Sequence, residues 1–258
     1  MPSTYAHYRF GMDAVPLLSK EAQLSIGRFP NLFHVGLHGP DPFFHYNLLW
    51  HTETGALGHS MHQLSGEEFF TRVCKRYRMH PSEGGHSYLY GFLAHYALDS
   101  VCHPFINGIA QQGEIGHVEM ESEFERFLLD LDGKNPPGRQ NTGRHLKLTR
   151  SESYTVAELL SPVTAGQFRQ AIRHMGLNCR LLATVNPRLV HSFLSHFERS
   201  VADQQVPDTP NTNCAYLDGR LYDLYQKALA LYPSLVQQMD THIQDRLPFG
   251  EEFQQPFG

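Results

Sequence analysis

Five residues between positions 95 and 121 have the types and the spacing of metal ligands. They are His95, Asp99, His103, His117 and Glu121. Residues four apart on an α-helix lie on the same face, with Cβ atoms about 5–6 Å apart. The first three therefore project from one stripe of one helix, and the last two from one stripe of the next. If the helices pack antiparallel, these nitrogen and oxygen ligands converge, and they exceed the four that one zinc ion takes, which indicates more than one ion.

Two predicted helices must carry these residues. The first, from about Ser87, is apolar nearly all round, which is typical of a buried core helix. Pro104 is expected to stop or kink this helix just after His103. The second helix is predicted from Glu114 to about Leu131. Histidine and aspartate side chains inside such helices need partners, because an unpaired buried charge is costly.

The rest of the chain also favours helices, so the predicted fold class is all-α. We expect a single all-helical domain over residues 1–258, with a metal cluster between core helices. Its metal-binding half spans 1–131 and its supporting helical half spans 151–258. Residues 132–150 are predicted to be a loop that is locally basic, either a solvated connection or a rim that contacts phosphate. The other helices are predicted at 13–28, 54–65, 66–77, 153–160, 164–183, 186–203, 217–231 and 233–246.

Composition excludes several classes of protein. With 41% apolar and 18% charged residues the chain is globular, and its net charge of −5 gives no general attraction to nucleic acid, so no polynucleotide partner is expected. Four scattered cysteines form no CxxC pair and predict neither disulfides nor a zinc-thiolate site. The N-terminus lacks signal-peptide features and no apolar stretch approaches about 18 residues. We therefore expect a cytoplasmic protein without a transmembrane segment. The sequence leaves the oligomeric state open.

Histidine is unusually abundant, and its distribution is uneven. Of the 17 histidines, 12 lie at or before position 117. This skew places the chemistry in the first half of the chain. Within that half, the segment Gly39-Pro40-Asp41-Pro42 fixes a turn that holds the Asp41 carboxylate in a defined direction.

The spacing of the central ligands resembles that of a known family. The pattern His95-x3-Asp99…His103-Pro104…Gly116-His117-Val118-x2-Glu121 looks like the zinc-dependent phospholipase C family, which is similar in fold to the P1/S1-type nucleases. Upstream segments carry the same resemblance over about residues 1–130. They are Ala6-His7-Tyr8, Gly39-Pro40-Asp41, and Gly58-His59-Ser60-Met61-His62 followed by Phe69-Phe70.

The resemblance implies a cluster of two to three zinc ions and assigns its ligands. One ion would be held by Asp41, His62, His95 and Asp99, and a second by His103, His117 and Glu121. A third would be held by His7, Asp99 and the terminal amine. His62 is preferred to His59 because an apolar residue followed by histidine ahead of the Phe pair looks most like the shorter, non-secreted members. Secreted members begin with a tryptophan at the third site, where this chain has Met1-Pro2.

The resemblance also implies an activity. Family members hydrolyse phosphodiesters of phospholipids with a metal-bound water as the nucleophile. Asp41 is the candidate base and Asp99 the carboxylate that bridges two ions, so both are candidate catalytic residues. The ligands fix the phosphoryl chemistry and leave the substrate to the pocket walls. A nuclease or a phosphomonoesterase on the same cluster is therefore one alternative, and a non-catalytic, metal-stabilised helical protein is another.

Overall fold

The computed structural model describes residues 4–46, 53–183 and 204–257. Within these ranges the chain forms ten α-helices and no β-strand, which confirms the all-α prediction. The helices are α1 (Thr4–Ala14), α2 (Lys20–Arg28), α3 (Pro30–Gly36), α4 (Glu53–His62), α5 (Gly66–Met79), α6 (Glu83–Ala110), α7 (His117–Leu131), α8 (Arg150–Leu160), α9 (Ala165–Leu182) and α10 (Asp218–Asp245). Short 3-10 helices cover Val15–Leu17, Asp41–His45, Pro137–Arg139, Ala215–Leu217 and Glu251–Phe253. The helix predicted at 186–203 lies outside the described residues.

Hydroxyl side chains set where five of the ten described helices begin. A serine or threonine at the N-cap accepts a hydrogen bond from the free backbone N–H three residues later, which satisfies a donor that has no partner inside the helix. The capping residues are Ser19 (α2), Ser65 (α5), Ser82 (α6), Thr149 (α8) and Thr164 (α9). The start of each of these helices is therefore specified locally by the sequence.

Two helices run through a proline. α6 continues six residues past Pro104 to Ala110, so of the two outcomes expected after His103, a stop or a kink, the stop does not occur. Pro104 is exposed and Ser100, whose carbonyl loses its helical partner, is only half-buried. Water can therefore satisfy that carbonyl and reduce the usual cost of an internal proline. Likewise, one helix, α10, spans Pro233 where two had been predicted.

The long helix α6 lies at the centre and packs against α1, α2, α3, α8 and α10. Its closest neighbour is α3, and two glycines allow that approach. A Cβ atom on Gly91 would lie 2.2 Å from the carbonyl oxygen of Phe33, and one on Gly36 would lie 2.4 Å from the carbonyl oxygen of Tyr88. The two backbones are therefore in direct contact, and any side chain at either position would force them apart.

The C-terminal segment returns to this core. Phe253 and Phe257 are fully buried. The hydroxyl of Tyr96, on α6, donates to the carbonyls of Glu252 at 2.8 Å and Gln255 at 3.0 Å. The end of the chain is thus fixed beside the same helix that carries the central ligand stripe.

In the part of the chain that the structure covers, no helix combines the length and the apolar character that a membrane crossing requires.

The α3–α6 contact generates a stability prediction. We expect Gly91→Ala to lower the free energy of unfolding by about 1–3 kcal/mol, because the new methyl group overlaps a backbone carbonyl that cannot move freely. Gly108→Ala is the matched control on the same helix, since a Cβ there meets no described heavy atom within 4 Å. It should leave stability unchanged or raise it by about 0.5–1 kcal/mol. Urea unfolding of both variants measures the difference, and equal effects would contradict the packing.

Candidate metal centre

The stripe predicted on the central helix is present, and Asp99 lies at its middle. Its Oδ2 atom is 3.1 Å from Nε2 of His95, one turn before, and its Oδ1 atom is 3.7 Å from Nε2 of His103, one turn after. All three side chains are buried. α6 therefore presents an imidazole–carboxylate–imidazole ladder on one face, as the four-residue spacing predicted.

The next helix brings its two predicted residues to the end of this ladder. Oε1 of Glu121 lies 3.1 Å from Nε2 of His117 and 3.3 Å from Nε2 of His103. Glu121 is buried, whereas the side chain of His117 is 25% exposed. These three residues, from α6 and α7, thus form a group with one edge open to solvent.

The first helix and the turn after α3 complete the cluster on the other side. Nε2 of His7, on α1, is 3.3 Å from Oδ1 of Asp99, and its ring stacks on His95 with centroids 4.3 Å apart. Asp41 begins a 3-10 helix and is fully buried. Its Oδ1 lies 3.2 Å from Nε2 of His62, and its Oδ2 lies 4.0 Å from Nδ1 of His95.

A glycine permits the Asp41 turn to approach the ladder. Gly39 has a φ of 47°, in the left-handed region that favours glycine. A Cβ atom there would lie 2.3 Å from Cδ2 of the His95 ring. Gly39 is therefore required twice, for its backbone conformation and for its contact with His95.

The two candidate histidines on α4 have different surroundings in the structure. His62 is buried and faces Asp41, as described above. His59 is exposed and its ring lies against Phe44, with centroids 4.6 Å apart. Only His62 joins the cluster.

All eight residues proposed from the sequence thus meet in one place, and they form three groups that could each hold a metal ion. The groups are Asp41–His62–His95, His103–His117–Glu121 and His7–His95–Asp99. Asp99 was expected at two ions, and it groups with His7 as expected but is absent from the group of Asp41, His62 and His95. His95 joins the group of His7 and Asp99, where it was not expected. The terminal amine expected at the third ion lies outside the described residues.

Hydrogen bonds fix the protonation of three of the histidines. Nδ1 of His62 lies 3.0 Å from the Gly58 carbonyl, and Nδ1 of His103 lies 2.7 Å from the Phe257 carbonyl. Nδ1 of His117 lies 2.9 Å from Oδ1 of Asn107. Each Nδ1 must donate to its oxygen, so in the neutral ring each Nε2 carries a lone pair. Metal-binding histidines are commonly oriented by such acceptors.

Those Nε2 lone pairs point toward carboxylate oxygens, and several of the facing atoms have no hydrogen bond. Nε2 of His62 and of His117, both ring nitrogens of His95 and Oδ2 of Asp99 are buried and lack a hydrogen-bond partner in the described part of the chain. Two acceptors at about 3 Å repel each other unless a cation lies between them. The donor set therefore fits a metal ion, and zinc is bound by this combination of ligands.

The electrostatics agree with this interpretation. Burial alone would raise the pKa of Asp99, but His103, His95 and His7 hold that pKa well below its usual range. Burial alone would also raise the pKa of Glu121, and its electrostatic interactions, which include those with His103 and His117, bring it to about 2. Both side chains are therefore buried carboxylates at neutral pH. Within the described residues their ion pairs are all with histidines, so no lysine or arginine there compensates the charge.

A small cavity touches the cluster. Its volume is about 20 Å3, and its polar wall consists of His7, Asp99, His103 and Glu121. To hold one water molecule, a cavity needs about 10–15 Å3 of space that is open to the centre of a water molecule. The centre thus has room for a single water-sized group beside Asp99.

Asn107 is a residue of this site that sequence reasoning missed. It lies four residues after His103, so it continues the stripe of positions 95, 99 and 103 on α6. The expected break at Pro104 hid this continuation. The four-residue spacing between His103 and Asn107 is the pattern that would have identified it.

These features define a class: an all-helical protein with a buried cluster of imidazole and carboxylate ligands for metal. The comparison with known protein families identifies the family within this class. A family model described as zinc-dependent phospholipase C matches residues 6–174, and the chain belongs to this family. The match extends beyond residue 130, where the recognisable motifs end. No curated protein and no solved structure gave a match.

The contact between Asn107 and His117 generates a prediction. We expect Asn107→Leu to weaken zinc retention at the His103–His117–Glu121 group by about 10–100-fold, because the His117 ring loses the acceptor that orients it. Asn107→Asp keeps an acceptor oxygen and should retain zinc. Chelator competition followed by metal analysis measures this. Equal retention in the leucine variant and the unmodified chain would show that the contact does not orient a ligand.

Proposed function

We propose that this protein is a zinc-dependent phosphodiester hydrolase of the phospholipase C type. The observation that carries the proposal is the joining of three potential metal-binding groups through shared residues. Asp99 contacts histidines of two of the groups, and His95 belongs to two of them. Joined sites of this kind suit phosphoryl transfer, where two ions about 3.5–4 Å apart act on one phosphoryl group. Membership of the zinc-dependent phospholipase C family supports the same chemistry.

The residues that would hold two to three zinc ions are the eight of the cluster. The proposed ligands are His7, Asp41, His62, His95, Asp99, His103, His117 and Glu121. Bound zinc supplies Lewis-acid polarisation of the phosphoryl oxygens and lowers the pKa of a coordinated water to about 7.

The two aspartates would have different roles. Asp99 would hold neighbouring ions at a fixed separation, since its Oδ1 and Oδ2 atoms face different histidines. Asp41 would accept the proton of the attacking water. Burial alone would raise the pKa of Asp41, but interactions that include those with His95 and His62 hold it well below its usual range. Asp41 is therefore a carboxylate at neutral pH, the form that can accept a proton, and its low pKa makes it a weak base.

The geometry favours catalysis over a purely structural metal site. Structural zinc sites are closed by four protein ligands, whereas catalytic sites have three and leave a position for water or substrate. Each of the three groups contributes three protein atoms, and the His117 edge is open to solvent. An open position at an exposed edge allows a substrate phosphate to complete the coordination.

For the substrate, we propose a phospholipid or its headgroup phosphodiester. The family description names phospholipase C activity, and this is the support for a lipid substrate. The net charge of −5 opposes binding of long polynucleotides. A nuclease would be expected to surround such a centre with basic residues.

Metal analysis and a substrate panel test the proposal together. Protein purified without chelator should contain about two to three zinc equivalents. It should hydrolyse phosphatidylcholine and a generic aryl phosphodiester faster than single-stranded DNA. Zinc-free protein that is folded would contradict the metal assignment. Zinc-loaded protein that cleaves DNA but not lipid would move the substrate to nucleic acid, and loaded protein that cleaves nothing would favour a structural metal site.

Substitution of Asp99 tests the bridging role. We expect Asp99→Ala and the near-isosteric Asp99→Asn to lose zinc and to lower the rate by more than about 100-fold, because a ligand shared between ions is removed. Asp223→Asn, an exposed position on α10, is the charge-matched control and should behave like the unmodified chain. Metal content and initial rates are compared. Full zinc content and full rate in Asp99→Asn would rule out a bridging carboxylate.

A further inference from the structure

A second polar pocket lies beside α1. It is an open cavity of about 220 Å3 between α1, the end of α7 and the loop that follows α7. None of the eight cluster residues lines it. Its polar lining residues include Lys134, Gln140, Asn141, Thr142, Arg144 and His145. We call it the loop pocket.

The loop pocket has positive charge and no acidic lining residue. Lys134 and Arg144 supply two cations, and neither side chain has a carboxylate within 4.0 Å in the described ranges. The single acidic residue of the loop, Asp132, is occupied: Nε of Arg9 donates to it at 2.8 Å and the Tyr5 hydroxyl donates to it at 2.6 Å. Lys134 is close enough to Asp132 to help lower the pKa of that carboxyl, and the lining of the pocket is nevertheless positive although the whole chain carries −5.

Part of the wall of the loop pocket is packed against the core, whereas the side chains of Lys134 and Arg144 are exposed to solvent. Gly143 approaches α9 so closely that a Cβ atom would lie 3.2 Å from Sγ of Cys179. The His145 ring stacks on Tyr8 with centroids 4.2 Å apart, and its Nε2 lies 2.6 Å from Nε2 of His38. Both contacts connect the loop to the protein core. Because this part of the loop is already packed, ligand binding costs less backbone ordering entropy there than at an unpacked basic loop.

The neutral lining groups match the same ligand chemistry. Gln140 and Asn141 add amide groups to the lining. Nε2 of Gln140 donates one hydrogen to the Pro136 carbonyl at 3.0 Å and has a second N–H, and Oδ1 of Asn141 accepts from the Gly143 N–H while its Nδ2 group is a further donor. Arginine and lysine with neutral donors are the usual environment of a phosphate group. The small volume accommodates one such group rather than a polymer.

From this arrangement we propose that the loop pocket is a second anion site, separate from the metal cluster, that binds a single phosphate group. The ligand is either a free phosphate compound or the phosphomonoester headgroup of a lipid. Its recognition depends on Lys134 and Arg144, and it requires no zinc ligand.

Calorimetric titration of the zinc-loaded protein with inorganic phosphate tests the pocket. The double variant Lys134→Gln/Arg144→Gln removes the two lining cations. The control Arg139→Gln/Lys147→Gln removes the same charge from the same loop, at residues that do not line the pocket. Each lost charge-assisted hydrogen bond is worth about 1.5–3 kcal/mol, so we expect at least about tenfold weaker binding of one phosphate in the pocket variant. The control should stay within about twofold, and zinc content and helicity should be unchanged in both.

Two results would overturn the proposal: phosphate binding by the pocket variant equal to that of the unmodified chain, or equal weakening in both variants. The second would mean that only the total charge of the loop matters.

Vesicle sedimentation identifies the source of the phosphate. Vesicles of phosphatidylcholine are compared with vesicles that also contain phosphatidic acid, which carries a phosphomonoester headgroup. Sedimentation that needs both phosphatidic acid and the Lys134/Arg144 pair supports a lipid headgroup as the ligand. A phosphate response in calorimetry without this sedimentation supports the pocket with a soluble phosphate compound as its ligand.

Discussion

The structure depends on one electrostatic constraint: buried imidazole lone pairs face buried carboxylates. Backbone and amide acceptors fix Nδ1–H on His62, His103 and His117, which leaves each Nε2 as an acceptor toward Asp41, Asp99 or Glu121. Breaking the compensation of buried charges commonly costs about 3–5 kcal/mol per pair. A cation between the facing atoms removes the repulsion and offsets the buried negative charge. The helices that converge here therefore place their donor atoms where a metal ion could offset the buried charge.

The fold supplies the rigidity that this arrangement needs. α6 carries the central ladder and is in backbone contact with α3 through Gly36 and Gly91, so the turn with Asp41 begins from a fixed position. The C-terminal segment takes part as well, since the Phe257 carbonyl orients His103 although it lies 154 residues further along the chain. The second half of the chain therefore contributes directly to the geometry of the centre, beyond supporting the first half.

Much of the site could be predicted because it is local. Positions 95, 99 and 103 and positions 117 and 121 share a helical phase, and the turn around Asp41 is specified by its glycine and prolines. Two features of the site could not be predicted from local sequence patterns. Whether Pro104 ends a helix depends on whether water can reach the freed carbonyl, which is a tertiary property. The acceptor for His103 comes from a distant segment that no local pattern connects to it. The loop pocket is similar, because its two cations meet only once the loop packs against α1 and α9.

The most direct test of the central account is X-ray diffraction from crystals of the zinc-loaded protein, measured on both sides of the zinc absorption edge. The account predicts anomalous peaks at the His103–His117–Glu121 group and at the groups that share His95, with Asp99 within bonding distance of at least one ion, about 2.0–2.2 Å. Loaded crystals with no zinc peak among these eight residues, or with zinc held elsewhere, would contradict it.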